Sequence, residues 1–251
     1  MKLTIAHLYP KHLNIYGDQG NLDALVFRLK ARKIKVTVKP IGPNDPLVAG
    51  SFDLLFSGGG QDRHQLMVAK NLLTKKQVIK KAVENHIPML TICGSYQLFG
   101  RFFKPFKAPK INGLGIFDAY TIASKQRKIG NIIIESNFLT PQTLVGFENH
   151  SGNTFLNNQS QSLGRVKYGI GNNDQDKTEG AKTKHCLGCY LHGSLLPRNP
   201  HLTDWLIQKA LDNIYSKVRL TPVNDQLELK THQQIINRVS RLRHPLLKYF
   251  V

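Results

Sequence analysis

Short apolar runs separated by longer amphipathic stretches constrain this chain more than any other feature. In the first hundred residues the runs are 3–8 (LTIAHL), 35–41 (KVTVKPI), 52–56 (FDLLF) and 89–92 (MLTI). Each has strand length, and the alternation with helical patterns predicts buried strands of a parallel sheet. Residues 21–31 (NLDALVFRLKA) place Leu22, Leu25, Val26 and Leu29 on one helical face, with Asn21 as the expected cap. Residues 74–85 read as a second helix. Strand and helix in this rhythm mean βαβ units, an α/β fold with a mainly parallel central sheet and helices on both faces.

The second hundred residues read as more β-rich, with strands expected at 119–122, 129–134 and 143–147 and a strand end at 189–192. Residues 153–182, full of Asn, Gln, Gly and Ser, read as exposed loops, and 202–215 as a helix. Near the C-terminus Ile235, Ile236, Val239 and Leu242 fall on one helical face beside Arg238, Arg241 and Arg243. That pattern suits a terminal helix packed on the domain, with a docking element as the alternative.

Composition narrows the class. Of 251 residues, 41% are hydrophobic, enough apolar side chain for a core and too much for a disordered chain. Three cysteines exclude a disulfide framework and suit a reducing compartment. No signal-length apolar segment and no run of membrane-spanning length is present. The net charge of +19 fits nucleic acid, an anionic substrate, an acidic partner or a membrane surface. Its basic residues are spread over 28–39, 75–81 and 101–110, without a nucleic-acid-binding motif. In RLKARKIKVTVK they alternate with apolar residues, as a solvated helix end and strand face would place them.

The chemistry concentrates in three places. In IPMLTICGSYQLFG an apolar strand runs into Cys93, followed by Gly94, Ser95 and a helical pattern. A thiol at such a strand-to-helix turn lies at a helix N-terminus, where N–H groups stabilise a thiolate and a developing oxyanion. The bland alternative is an inert cysteine ending a core strand. Ser57-Gly58-Gly59-Gly60-Gln61-Asp62 follows FDLLF, at the strand end where parallel sheets open their ligand crevice. Gly188-Cys189-Tyr190-Leu191-His192-Gly193 places a histidine after another strand, and a thiolate nucleophile needs an imidazole to manage its proton.

Together T-I-C-G-S-Y-Q, S-G-G-G-Q-D, G-F-E-N-H-S-G (146–152) and G-C-Y-L-H-G resemble the cobyric-acid-synthase-type branch of the triad glutamine amidotransferases. With N-I-Y-G-D-Q-G-N (14–21) and R-K-I-G-N (127–131), their order is similar to that of glutaminase subunits of lipid II isoglutaminyl synthases. The resemblance spans residues 3 to about 211 and implies a three-layer, flavodoxin-like class I amidotransferase fold. It implies an amidotransferase domain over 1–218, with 219–251 as a basic helical extension. It also implies that Cys93 attacks the carboxamide of L-glutamine to form a thioester, with His192 as base and then acid. Gly60 and Gly94 would supply the oxyanion hole, Gln97 would line the pocket and Arg127 would bind the substrate carboxylate. Glu148, Asn149 and His150 match a motif without a derivable role, and His150 is a reserve base.

Two departures stand out. Ser194 occupies the position two after the histidine where many relatives carry an orienting Glu, so the resemblance looks to a partner subunit for that carboxylate. Cys189 replaces a common Thr and, with His185, Cys186 and His192, imitates a zinc set too compressed for tetrahedral ligation. No metal and no cofactor are expected in this chain. It lacks a G-x-x-x-x-G-K-[ST] loop, so ATP and Mg would be used by the partner. That partner is expected to be a Mur-ligase-like synthetase subunit forming a heterodimer and using lipid II in peptidoglycan synthesis. The pair would be cytoplasmic, peripheral at most to the inner face of the membrane, with no role for nucleic acid. The rivals are a glutaminase subunit for another ATP-dependent amidation, a related sulfur-nucleophile hydrolase and a catalytically inactive basic binding module.

Overall fold

The computed structural model describes residues 1–193 and 195–242. In chain order the first half comprises β1 (Lys2–Leu8), α1 (Gln19–Ala31), β2 (Lys35–Ile41), β3 (Leu54–Ser57), α2 (Asp62–Thr74), α3 (Lys76–Glu84), β4 (Met89–Ile92) and α4 (Gly94–Phe99). Then come β5 (Phe102–Lys104), β6 (Ile111–Asn112), β7 (Ala119–Glu135), β8 (Thr143–Leu156), β9 (Gly164–Tyr168), β10 (Thr178–Glu179), β11 (Ala181–Thr183) and β12 (Cys186–Cys189). Helices α5 (Leu195–Arg198), α6 (Pro200–Asp212) and α7 (Gln226–Leu242) follow.

Six strands form the main sheet in the order β11-β12-β4-β3-β1-β2, parallel throughout except at β11. Its inner strands β3, β4 and β12 are buried at every position, as expected of strands covered on both faces. From β1 the chain moves outward to β2, and from β3 it moves the opposite way to β4. Right-handed crossovers in opposite directions put α1 and the α2–α3 pair on opposite faces. The direction reverses between β1 and β3, so a crevice opens beyond their C-terminal ends. A second, largely antiparallel sheet carries the order β10-β9-β7-β5-β6, with β8 paired to β7. It joins the first where Phe147 and His192 form an antiparallel bridge.

Several local expectations change. The two strands expected at 119–122 and 129–134 are one long strand, β7, whose register against β8 shifts between Ala123 and Lys128. Strand β3 starts two residues later than its apolar run, and α2 lies where no helix was expected. Residues 153–182 are not simply exposed loops. They include β9, β10 and part of β11, and Asn172, Asn173 and Glu179 are buried, each bonded to backbone groups. Asn21 does not cap α1, because the helix begins before it. Its buried side chain instead accepts the Leu196 N–H at 2.8 Å.

The basic segment 28–39 divides in two. Lys35 and Lys39 are exposed on the edge strand β2, as a solvated strand face requires. Arg28 is not solvated: its Nε and Nη2 each bond Asp204 at 2.6 Å, and Nη1 bonds Asp225 at 2.5 Å. Arg32 adds a 2.7 Å bond to Asp204. Burial opposes the Arg28 charge, but these carboxylates outweigh it and raise its pKa. The cluster fastens α1 to α6 and to the start of α7. Further along, Ile235, Ile236 and Val239 of α7 pack on Ile133, Val145 and Tyr168 of the second sheet. The last nine residues, Arg243 among them, lie outside the described residues, as does Ser194.

Candidate active site

Cys93 sits between β4 and α4 with φ 49° and ψ −103°, a backbone region that a residue with a side chain adopts only under strain. The surroundings hold it there. Its N–H bonds the Cys189 carbonyl at 2.8 Å and its carbonyl accepts the Gln97 N–H at 3.0 Å. Ser95 bonds both Ser57 Oγ and the Gly58 carbonyl, tying the turn to the glycine loop. Ser95 is therefore a brace for the turn. Gly94 is needed for a similar reason: a Cβ there would lie 3.0 Å from the Gly60 backbone and from Gln65 Nε2.

The same close packing explains the glycine loop. A Cβ on Gly58 would meet the Leu13 carbonyl at 2.5 Å, and one on Gly60 would meet the Leu13 side chain at 2.5 Å. A Cβ on Gly59 would lie 2.7 Å from His192 Cε1, 3.1 Å from Asp18 Oδ2 and 3.2 Å from Cys93 Cβ. These three side chains thus converge on Gly59. Gly94 opens α4, where first-turn N–H groups have no intrahelical acceptor, and it faces Gly60 across the turn.

His192 is fully buried. It follows β12 by three residues and is held by the bridge to Phe147, whose carbonyl accepts the His192 N–H at 2.7 Å. Gly146 permits this approach, since a Cβ there would collide with Leu191 at 2.8 Å. Nδ1 of His192 lies 3.3 Å from Oδ1 of Asp18, the residue immediately before α1. The other Asp18 oxygen accepts the Gly59 N–H at 2.6 Å. With Nδ1 engaged, Nε2 is the nitrogen left for Cys93, and it has no other hydrogen-bond partner among the described residues. Burial by itself lowers the His192 pKa, but the negative charge at Cys93 and the Asp18 carboxylate outweigh it and raise the imidazole to about 10. An orienting carboxylate is therefore present within this chain, where the motif comparison had looked to a partner.

Cys93 opens onto a cavity of about 400 Å³ whose walls include Tyr16, Gly60, Gln65, Gln97, Arg127 and His150. Arg127 reaches it because residues 124–127 leave the β7–β8 ladder at the register shift, which re-aims the side chain. Its guanidinium donates to Asn149 Oδ1 at 2.7 Å and to the Tyr16 hydroxyl at 3.0 Å, both neutral groups. No carboxylate among the described residues pairs with it, so its charge is oriented without being cancelled, a setting suited to a carboxylate. Gln97 also lines the cavity and is buried, donating to the Tyr190 hydroxyl at 3.0 Å. The motif 148–150 also resolves. Asn149 orients Arg127, and Glu148 accepts the Ile170 and Gly171 N–H groups at 2.8 Å each. His150 stacks on Tyr190 at 3.6 Å, and burial lowers its pKa.

Every expected site residue lies in or beside this cavity. The imitation zinc set does not assemble. Cys186 and Cys189 are buried in the core, and His185 Nδ1 pairs with the His86 carbonyl at 2.9 Å. Sequence reasoning missed Asp18, Tyr16 and Gln65. Asp18 and Tyr16 lie in the N-I-Y-G-D-Q-G-N segment, whose match carried no role until β1 and β3 brought it onto the glycine loop.

Residues 4–200 match the CobB/CobQ-like glutamine amidotransferase domain. The chain belongs to this family. Among relatives, it is 41% identical over 96% of its length to 97% of a Staphylococcus aureus protein, the lipid II isoglutaminyl synthase (glutamine-hydrolyzing) subunit GatD. It is 38% identical over 86% of its length to 83% of the Streptococcus pneumoniae protein of that name. A glutamine amidotransferase crystal structure superposes with TM-score 0.56 at 14% identity, covering 82% of this chain and 98% of that one. A Thermotoga maritima glutamine amidotransferase gives 0.53 at 16% identity over 94% of each chain. These two likenesses concern the fold. The cavity and its cysteine are therefore features of a glutamine amidotransferase domain. No described helix is long and apolar enough to cross a membrane.

Proposed function

We propose that this chain is the glutaminase subunit of a lipid II isoglutaminyl synthase, hydrolysing L-glutamine to glutamate and ammonia. The observation that carries the mechanism is the convergence of Cys93, His192 and Asp18 on Gly59, beside a cavity holding an uncompensated Arg127. Glutamine enters with its α-carboxylate on the guanidinium of Arg127 and its carboxamide at Cys93. The thiolate attacks the carboxamide carbon, and the N–H groups of Gly60 and Gly94 take the oxyanion. Protonated His192 gives its proton to the departing nitrogen, ammonia leaves, and a γ-glutamyl thioester remains. His192, now neutral, takes a proton from water; the resulting hydroxide attacks the thioester and frees glutamate and Cys93. Asp18 holds the imidazole in place through Nδ1 during both proton transfers.

The ammonia is used by a Mur-ligase-like synthetase subunit in a heterodimer. That subunit spends ATP with Mg to amidate the α-carboxylate of D-glutamate in lipid II, giving D-isoglutamine for the cell wall. No cofactor is assigned to this chain. The two relatives named as subunits of that synthase support the assignment, as does the high positive charge. An acidic ligase or the anionic lipid pyrophosphate at the inner face of the cytoplasmic membrane accounts for that charge better than nucleic acid.

The test is release of glutamate from glutamine by the chain co-purified with its partner. Cys93→Ala is expected to abolish release while leaving the complex assembled. Release at the wild-type rate would overturn the mechanism, and co-purification without an ATP-dependent ligase would overturn the partner assignment.

A further inference from the structure

Gln65, in the first turn of α2, has no part in the mechanism above, yet its carboxamide is built into the cavity wall. The residue is 2% exposed. Its Nε2 donates to Gln97 Oε1 at 3.0 Å and approaches the Gly60 carbonyl at 3.3 Å. Gln97 Nε2 in turn donates to the Tyr190 hydroxyl, which pairs with Thr154 Oγ1 at 2.7 Å. This network settles which way the Gln65 amide faces. Rotating it by half a turn would set its oxygen against two other oxygens, those of Gln97 and Gly60. Gln65 Oε1 is therefore the free atom, a buried acceptor with no donor among the described residues, on a side chain that lines the cavity. A buried acceptor left empty is costly, and a ligand donor relieves that cost.

The position of the amide narrows the donor. Gln65 Nε2 lies against the nucleophile turn, within 3.0 Å of where a Cβ on Gly94 would stand. It belongs to the reacting end of the cavity, beside the two glycine N–H groups. Glutamine carries an N–H₂ donor at that end; glutamate presents a carboxylate with no proton to give at neutral pH. We propose that Gln65 Oε1 accepts a hydrogen bond from the carboxamide N–H₂ of bound glutamine, so that Gln65 distinguishes substrate from product. This inference rests on the glutaminase reading and names a specificity determinant within the same site. It also accounts for product departure: once the amide becomes a carboxylate, Oε1 faces another acceptor.

The experiment compares L-glutamine with L-glutamate γ-methyl ester, which keeps the α-groups and the acyl carbon but lacks the N–H₂. In the full chain with its partner, Gln65→Met is expected to lower the ratio of kcat/KM for glutamine to that for the ester by about 10- to 100-fold. Any displacement of Gln97 affects both substrates and cancels in the ratio. An unchanged ratio overturns the inference, whether both activities fall together or neither falls. A second measurement does not need turnover. In the Cys93→Ala background, calorimetry should show glutamine binding more tightly than glutamate, with Gln65→Met narrowing the gap by a similar factor. No preference for glutamine over glutamate in Cys93→Ala alone, or a gap untouched by the added Gln65→Met, refutes the role of Gln65. Absence of Cys93-dependent glutamate release refutes the glutaminase reading instead.

Discussion

The two ends of α1 carry charges of opposite kinds of use. At its C-terminal end Arg28 is buried between Asp204 and Asp225, with every charge paired. At its N-terminal end Asp18 is fully buried, and among the described residues its carboxylate bonds only an imidazole and a backbone N–H. The first cluster holds three helical segments together and has no charge to spare. The second leaves His192 Nε2 to Cys93, and in the same cavity Arg127 bonds only neutral oxygens among the described residues. Burial and partners, more than the number of charges, separate a clamp from a reaction centre.

That contrast can be broken in several ways. Arg28→Met should have the largest effect, on stability: it strands Asp225, leaves Asp204 to Arg32 alone and should cost about 3–5 kcal/mol in chemical denaturation. KM for glutamine in the folded fraction should not change, and a KM shift with unchanged stability would reverse the comparison. Asp18→Asn should lower kcat by about 10²- to 10³-fold, or roughly 3–4 kcal/mol, with a smaller effect on stability. If a partner carboxylate alone orients His192, kcat in the complex will be close to wild type.

The pH profile sharpens the same point. Asp18 raises the His192 pKa, so removing its charge should move the alkaline limb of kcat/KM downward from near 10. The sign for stability follows: a raised imidazole pKa stabilises the fold fully below about 6.5, and that stabilisation fades as pH rises through about 10. An alkaline limb that stays in place in Asp18→Asn would remove Asp18 from the site.

Arg127→Met should raise KM for glutamine by about 30- to 100-fold, roughly 2–3 kcal/mol, and leave the melting temperature in place. Asn149→Ala, which frees Arg127 without removing it, should raise KM by only about 3- to 10-fold. Equal effects for these two variants would show that holding the guanidinium matters as much as its charge.

The strand runs, the thiol between MLTI and GSYQ and the glycines after FDLLF were readable because each is a local pattern of burial or backbone freedom. So was His192, by its place after a strand. The loops expected at 153–182 were misread because buried Asn and Glu side chains satisfy backbone groups there, and polarity without tertiary partners resembles exposure. Arg28 was misread for the same reason, its carboxylates lying 176 and 197 residues away. By itself the sequence determined the parallel α/β fold, the family and the Cys93–His192 pair proposed for catalysis, since these rest on short-range patterns and motif order. Only the tertiary structure decided that Asp18 stands behind His192, that Asn149 aims Arg127 and that Gln65 presents an empty acceptor. Each depends on strands distant in the chain ending at one crevice, and no local pattern encodes that meeting.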